Sequence, residues 1–215
     1  RDVPSVLHPV PSIQFADDIA LYSSQSSVGA VSATLTTAVT NLAVWLQARG
    51  LVLNPTKSRA VTFLPHRQVD NPLVTVQCRG VAVPTASTTT YLGVVLDSKL
   101  SWDAQVDRIV SKTTRKIGAL WRARRSLSRS ARRLFVQAVV IPDIVYGSNA
   151  FFPALLGRQL DRLGLLQNRA IRAIDGHPPY TTVHSLLVQH GLYRIGELSK
   201  RKLLVFVWRC LHGKA

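Results

Sequence analysis

Two adjacent carboxylates, Asp17 and Asp18, follow Phe15-Ala16 and stand between two short runs of strand-forming residues, Ser12-Ile13-Gln14 and Ile19-Ala20-Leu21-Tyr22. Strand formers on both sides of a two-residue acidic turn predict a β-hairpin with both carboxylates at its tip. There they can face a divalent cation without being buried. Their oxygens suit Mg²⁺, which takes one or two carboxylates and fills its other positions with water or phosphate oxygens; Mn²⁺, which also favours oxygen ligands, could replace it. A pair of such ions can clamp the attacking hydroxyl and the leaving pyrophosphate of nucleotidyl transfer. The plainer alternative is a solvated turn, where Asp is favoured for its own backbone hydrogen bonding. With ten Asp in the chain, the dipeptide alone does not decide between them.

The elements that must position this tip are legible in the pattern of apolar residues. Ser26-Ser27 can cap a helix from Val28 to about Arg49, with Val31, Leu35, Ala38, Leu42 and Trp45 recurring at steps of three or four and Gly50 closing it. That helix is expected to pack behind the hairpin, with Trp45 in the core rather than serving as a base-stacking platform. Leu51–Leu64, Leu73–Val83 and Thr88–Leu96 read as short strands, separated by Asn54-Pro55, Pro65-His66-Arg67, Asp70-Asn71-Pro72 and Pro84. The sum is an α+β unit. Lys57, after Asn54-Pro55, reads by itself as an ordinary exposed turn lysine. In Tyr91-Leu92-Gly93 the glycine permits a bend or a close backbone approach.

Beyond Trp102 the period lengthens and the charge changes. Asp103 to about Leu127 reads as a helix with Val106, Ile109, Val110, Ile117, Leu120 and Trp121 on its apolar side. Arg108, Lys112, Arg115, Lys116, Arg122, Arg124 and Arg125 lie largely on the other side, and a second helix, Ser128 to Val140, carries Arg129, Arg132 and Arg133. The chain holds 27 Lys and Arg against 11 acidic residues, a formal charge of +16, with a pI near 11.0. Residues 101–215 account for 20 of the basic and 6 of the acidic side chains, residues 1–100 for 7 and 5. One such helix could be the solvated face of a bundle. Two in succession point to a polyanionic partner held by salt-sensitive phosphate contacts, which position a protein without specifying sequence.

The rest reads as helical: an aromatic stretch with Tyr146, Phe151 and Phe152 punctuated by Pro142 and Pro153, a helix from Arg158 to Ile174 ended by Asp175-Gly176, and two more over Val183–His190 and Ile195–His212. Cys78 and Cys210 are too few and too far apart for a disulfide framework or a zinc site, so packing is expected of both and no disulfide partner. His184, His190 and His212 lack metal-ligand spacing. No apolar run approaches the ~20 residues of a membrane span, and the N-terminus is not a signal peptide, so no membrane contact and an intracellular setting are expected.

The segment Gln14–Tyr22 resembles the Tyr/Phe-Ala-Asp-Asp block of reverse transcriptases, specifically those of non-LTR (LINE-type) retrotransposons. Three further segments agree in order: Gly50–Ser58 is similar to the next palm motif; Tyr91–Asp97, followed by Leu100-Ser101-Trp102, to the hairpin that supports the primer end; and Gln167–Ile174 to the helical region beyond the thumb. The resemblance implies part of a polymerase palm over 1–100, a thumb over 101–141 and a helical region over 142–215. It implies RNA-templated DNA synthesis in the intact parent. Asp17 is then the principal metal ligand, Asp18 assists or orients, Lys57 sits by the pyrophosphate and Tyr91, Leu92 and Gly93 support the primer.

The implied partners are an RNA template, a DNA primer and deoxynucleoside triphosphates, and the implied setting is the cytoplasm and nucleus. The family's fingers and first palm aspartate lie upstream of this block and are not found here, and the chain has no Met. It is therefore expected to be a piece of a longer polymerase, and by itself inactive. The alternatives are a nucleic-acid-binding module without chemistry and a degenerate relic.

Overall fold

A computed structural model describes residues 3–63 and 74–214, with side chains from Ser5 onward. The chain is mixed α and β, mostly helical, and its strands form three separate two-stranded antiparallel pairs rather than one sheet. It divides into two compact units, one comprising the chain up to Thr89 with Asp97–Leu100, the other Thr90–Leu96 with everything from Ser101 on.

The first unit is organised by α2 (Val28–Gln47). Its N-cap is Ser27, whose Oγ accepts the Ala30 N–H at 3.2 Å. One face of α2 packs Ala38 and Leu42 against Leu7 of α1 (Val3–Leu7), Val10, and Ile19 and Leu21 of the hairpin β1 (Ser12–Phe15) and β2 (Asp18–Leu21), with Trp45 half-buried beside them. A second face packs Val31, Val39 and Ala43 against Val74, Val76, Cys78 and Val83 of the hairpin β3 (Val76–Cys78) and β4 (Val81–Val83). The free edge of β3 is covered by hydroxyls one turn apart on α2: the N–H groups of Thr75 and Gln77 donate to Ser32 Oγ (3.2 Å) and Thr36 Oγ1 (3.1 Å). Cys78 is buried as expected, whereas Cys210 is exposed rather than packed.

All three expected strands are corrected: the described part of Leu73–Val83 is not one strand but the hairpin β3–β4, turning at Arg79 and Gly80, both at positive φ (52° and 79°). Residues 51–63 contain only an isolated bridge from Ala60 to Thr85, because Asn54 folds its own backbone into a turn: its Oδ1 accepts from the N–H (3.0 Å) and hydroxyl (2.7 Å) of Thr56. Thr88–Leu96 is not one strand but a hairpin, β5 (Thr88–Tyr91) and β6 (Val94–Asp97), turning at Leu92 and Gly93, both at positive φ (45° and 78°). Two left-handed residues in a two-residue loop match the twist of the flanking strands. The ends of the expected strands at Leu64 and Leu73, with the turns Pro65-His66-Arg67 and Asp70-Asn71-Pro72, lie outside the described residues.

In the second unit, α3 (Asp103–Ala123) and α7 (Gly157–Asp175) pack along each other. Between and around them α4 (Arg129–Phe135), α5 (Ile141–Val145), α6 (Ser148–Phe151) and α9 (Ile195–Leu211) bury a core including Val106, Ile117, Leu120, Val140, Phe151, Leu163 and Ile174. A fourth cluster joins Ile171 of α7 to α8 (Val183–His190). The expected helix Ser128–Val140 runs on through a π-helical turn, Val136–Val140, into α5. Pro142 accounts for it: proline offers no N–H to the preceding turn, and the Ile141 N–H reaches back five residues to Val136 O, so the helix widens instead of breaking.

Three buried glutamines brace this unit. Gln159 Nε2 donates to Ser101 O (2.9 Å) and Asp103 Oδ1 (2.7 Å). Gln167 bridges Tyr193 O and the Ile195 N–H, and Gln105 Oε1 accepts the Val95 N–H at 2.9 Å.

Against the expectation of no spanning segment, Val28–Gln47 and Arg129–Ala154 are long and apolar enough to pass as membrane spans by length and composition, each with mean hydropathy 1.3. Both also give apolar residues to the cores just described, as the core helices of many domains do. In the C-terminal half of α9, by contrast, Leu204, Phe206, Trp208 and Leu211 are all exposed.

Candidate functional site

The acidic hairpin is one residue out of step with its sequence reading. Phe15 pairs with Asp18, so the two-residue loop is Ala16-Asp17 and Asp18 is the first residue of β2. Ala16 is the left-handed residue (φ 53°) at the first loop position, the place glycine fills in a type II′ turn. Alternation along the strands sends Ile19 and Leu21 to the α2 core and leaves Ile13, Phe15, Asp18 and Ala20 on the outer face. Phe15 is 62 % exposed beside Asp18.

Both carboxylates are exposed, and neither has a hydrogen-bond or ion-pair partner among the described residues. Their donor chemistry fits part of a Mg²⁺ shell. No third His, Cys, Asp or Glu joins them into a cluster among the described residues, so this hairpin supplies two carboxylates and no more.

Lys57 lies in the same unit, exposed, in the Asn54 turn, its N–H directed to Asn54 O at 3.3 Å. No hydrogen bond or ion pair joins it to Asp17 or Asp18 among the described residues. Tyr91 straightens into β5, and the Leu92–Gly93 turn belongs to the second unit. There the Tyr146 hydroxyl donates to Leu92 O at 2.9 Å, and a Cβ on Gly93 would stand 3.1 Å from Tyr146 Cε1. The close approach that glycine permits is thus to a tyrosine ring.

The ten cations singled out between Arg108 and Arg133 separate into two groups. Val106, Ile109, Thr113, Ile117 and Leu120 form the buried face of α3. Arg108, Arg115 and Arg122, seven residues apart, fall on the opposite face, about 10.5 Å apart along the axis. All three are exposed and have no partner among the described residues; so are Arg125 and Arg133.

The flanks of α3 are committed internally. Lys112 and Lys116 both bind Asp143 of α5, at 2.9 and 2.5 Å, and Asp103 and Asp107 bind Arg158 (2.9 Å) and Arg162 (2.7 Å) of α7. Partial burial would raise the Asp143 pKa, but the hydrogen bonds and charges of Lys116 and Lys112 hold it below the ordinary carboxylate value. Arg124 lies over the Trp121 ring (4.7 Å) and beside Gly176 at the C-terminus of α7. Arg129 binds Asp175 (2.5 Å), which also takes the buried His190 (2.8 Å). Arg132 turns its Nε into the interior. The glutamine braces and the Tyr146 contact had no counterpart in the sequence reading; a polar residue at a core position of an amphipathic helix, as at Gln105 and Gln167, is the signal that could have found them.

No family model matches the chain, and no solved structure does. Among curated proteins, it is 29 % identical over 183 residues to a probable RNA-directed DNA polymerase from transposon BS of Drosophila melanogaster, covering 82 % of this chain and 20 % of the relative. It is 25 % identical over 186 residues to the RNA-directed DNA polymerase from mobile element jockey of the same organism, covering 85 % and 20 %. Over 135 residues it is 27 % identical to a probable RNA-directed DNA polymerase from transposon X-element, covering 61 % and 14 %. The chain spans a fifth or less of the length of these relatives.

Proposed function

We propose, from the similarity of this chain over most of its length to RNA-directed DNA polymerases of non-LTR retrotransposons, that it is a palm-and-thumb segment of such a polymerase. In this reading residues 1–100 belong to the palm, 101–141 to the thumb and 142–215 to the helical region beyond it. The observation that carries it is the pair of exposed carboxylates, without partners among the described residues, at the end of a hairpin anchored to α2.

Asp17 and Asp18 would hold Mg²⁺, Asp17 as the principal ligand and Asp18 assisting or orienting. The ion, when bound, supplies charge neutralisation at reacting phosphoryl oxygens. Lys57, whose ammonium has no ion-pair partner among the described residues, offsets negative charge on the departing pyrophosphate. The Leu92–Gly93 turn supports the primer strand. The arginine ridge of α3 grips the backbone of a primer–template duplex without reading its sequence.

The absence of a third acidic residue beside Asp17 and Asp18 among the described residues also supports a second reading, a nucleic-acid-binding module without chemistry. Titration of Mn²⁺, followed by paramagnetic broadening of the hairpin amides in the presence of an RNA–DNA primer–template, separates the two. The polymerase reading expects local broadening around residues 16–19, abolished in Asp17→Asn/Asp18→Asn. Duplex binding with no broadening at the hairpin leaves the binding module.

A further inference from the structure

We propose that Tyr146 is a positioning residue for the Leu92–Gly93 turn and, through it, for the primer strand; the proposal rests on the reading of that turn as the primer support. Tyr146 caps α5 in extended conformation and is followed by Gly147 at φ 64°. The residue is 56 % exposed, so core burial does not account for its placement. Its hydroxyl donates to Leu92 O at 2.9 Å, and its Cε1 occupies the space beside the Gly93 α-carbon.

The turn needs such a strut. Leu92 is held at φ 45°, a left-handed conformation costly for any residue with a Cβ, and such backbone persists where its surroundings over-determine it. Two other contacts fasten the same hairpin: Val94 Cγ2 lies 2.7 Å from where a Gly147 Cβ would be, and Gln105 takes the Val95 N–H. Val94 and Val95 are thereby fixed to the body of the unit. The turn itself, ahead of them, is reached by the tyrosine hydroxyl. Gly93 remains exposed, open to the backbone of a bound strand. A binding element built on a turn is only as exact as the groups that lock it.

Tyr146→Phe removes the hydroxyl and keeps the ring. The test compares binding of this chain to an RNA template carrying a recessed DNA primer 3′ end with binding to a blunt hybrid of equal length, by fluorescence anisotropy. Wild type should favour the recessed end. Tyr146→Phe should reduce that preference roughly three- to ten-fold, the weight of one hydrogen bond in an equilibrium, while affinity for the blunt hybrid stays within about twofold and the melting midpoint within about 3 °C. Arg115→Ala should weaken both substrates together.

An unchanged preference in Tyr146→Phe overturns the positioning role and leaves the primer-support reading standing. Loss of the cooperative melt in that variant also overturns it, because the hydroxyl is then a folding determinant. A wild type without preference for the recessed end removes the primer-support reading and the proposal with it.

Discussion

Replacing Arg108, Arg115 and Arg122 together by Ala should change how duplex binding responds to salt, and replacing Lys112 and Lys116 should not, although all five cations lie on one helix. The three arginines stand on the face of α3 opposite its buried side and have no internal partner among the described residues. The two lysines already share Asp143. Each phosphate neutralised contributes about 0.9 to the slope of log K against log salt. If each arginine of the ridge meets one phosphate, the triple variant should lower the slope by about 2.7, which removes roughly 40-fold of the affinity difference between 50 and 200 mM salt.

Lys112→Ala/Lys116→Ala should leave the slope within about 0.5 of wild type. Its effect should appear in stability, because a partly buried Asp143 loses both charges; an unpaired buried acceptor costs on the order of 1–3 kcal/mol. The assay is a fluorescence titration of a short RNA–DNA hybrid at four salt concentrations, run beside thermal melts of each variant. A slope that falls as far for the lysine pair as for the arginine triple would refute the assignment of α3's outer face as the contact surface.

Two further outcomes concern single positions. Burial pushes the Asp175 pKa up, but hydrogen bonds from Arg129 and His190 and their charges outweigh it and hold the group below the ordinary carboxylate value. Its stabilising contribution is therefore complete above the unfolded value of about 3.9 and is lost as pH falls through the lower folded value; melting midpoints followed down to pH 2 should show an acid arm that Asp175→Asn flattens, and an unchanged arm would remove Asp175 as its source. Ala16→Gly should stabilise the first unit by about 0.5–1 kcal/mol in denaturant titration, because φ 53° is open to glycine without penalty; destabilisation would show that the loop is not held left-handed in solution.

The long amphipathic helices were legible because a buried stripe recurs at fixed steps: α3, α7, α8 and α9 begin where their sequence patterns begin, within a residue. The strands were less legible. Alternation in Thr88–Leu96 is compatible with one strand or with two; Gly93 permits a bend, but the left-handed Leu92 before it is a residue type that gives no turn signal. Asn54 does give one, and its side chain wins over the β-forming residues that follow. In the acidic hairpin, an Asp-Asp turn and an Ala-Asp turn fit the flanking strands equally well and put the same side chains on each face, so burial of Ile19 and Leu21 is common to both and only the pairing of Phe15 with Asp18 distinguishes them. That one-residue slip leaves Asp18 on the outer strand face and Asp17 in the loop, so the two adjacent carboxylates are presented by different backbone.

Charge was legible as a total and not as a surface. Counting basic residues over 103–140 gives ten equivalent candidates, but the second unit's few acids are not spread at random among them. Asp103 and Asp107 are spent on α7, Asp143 on the lysine flank and Asp175 on the start of α4. Each of these pairs ties α3 or α4 to a neighbouring helix, so the acids sit where helices meet and none of the four neutralises the ridge of Arg108, Arg115 and Arg122. A cation without an internal counter-ion keeps its field directed outward, where a phosphate backbone can displace counterions to reach it. The positions of the acids, more than the number of the cations, therefore define which face of this unit a nucleic acid would meet.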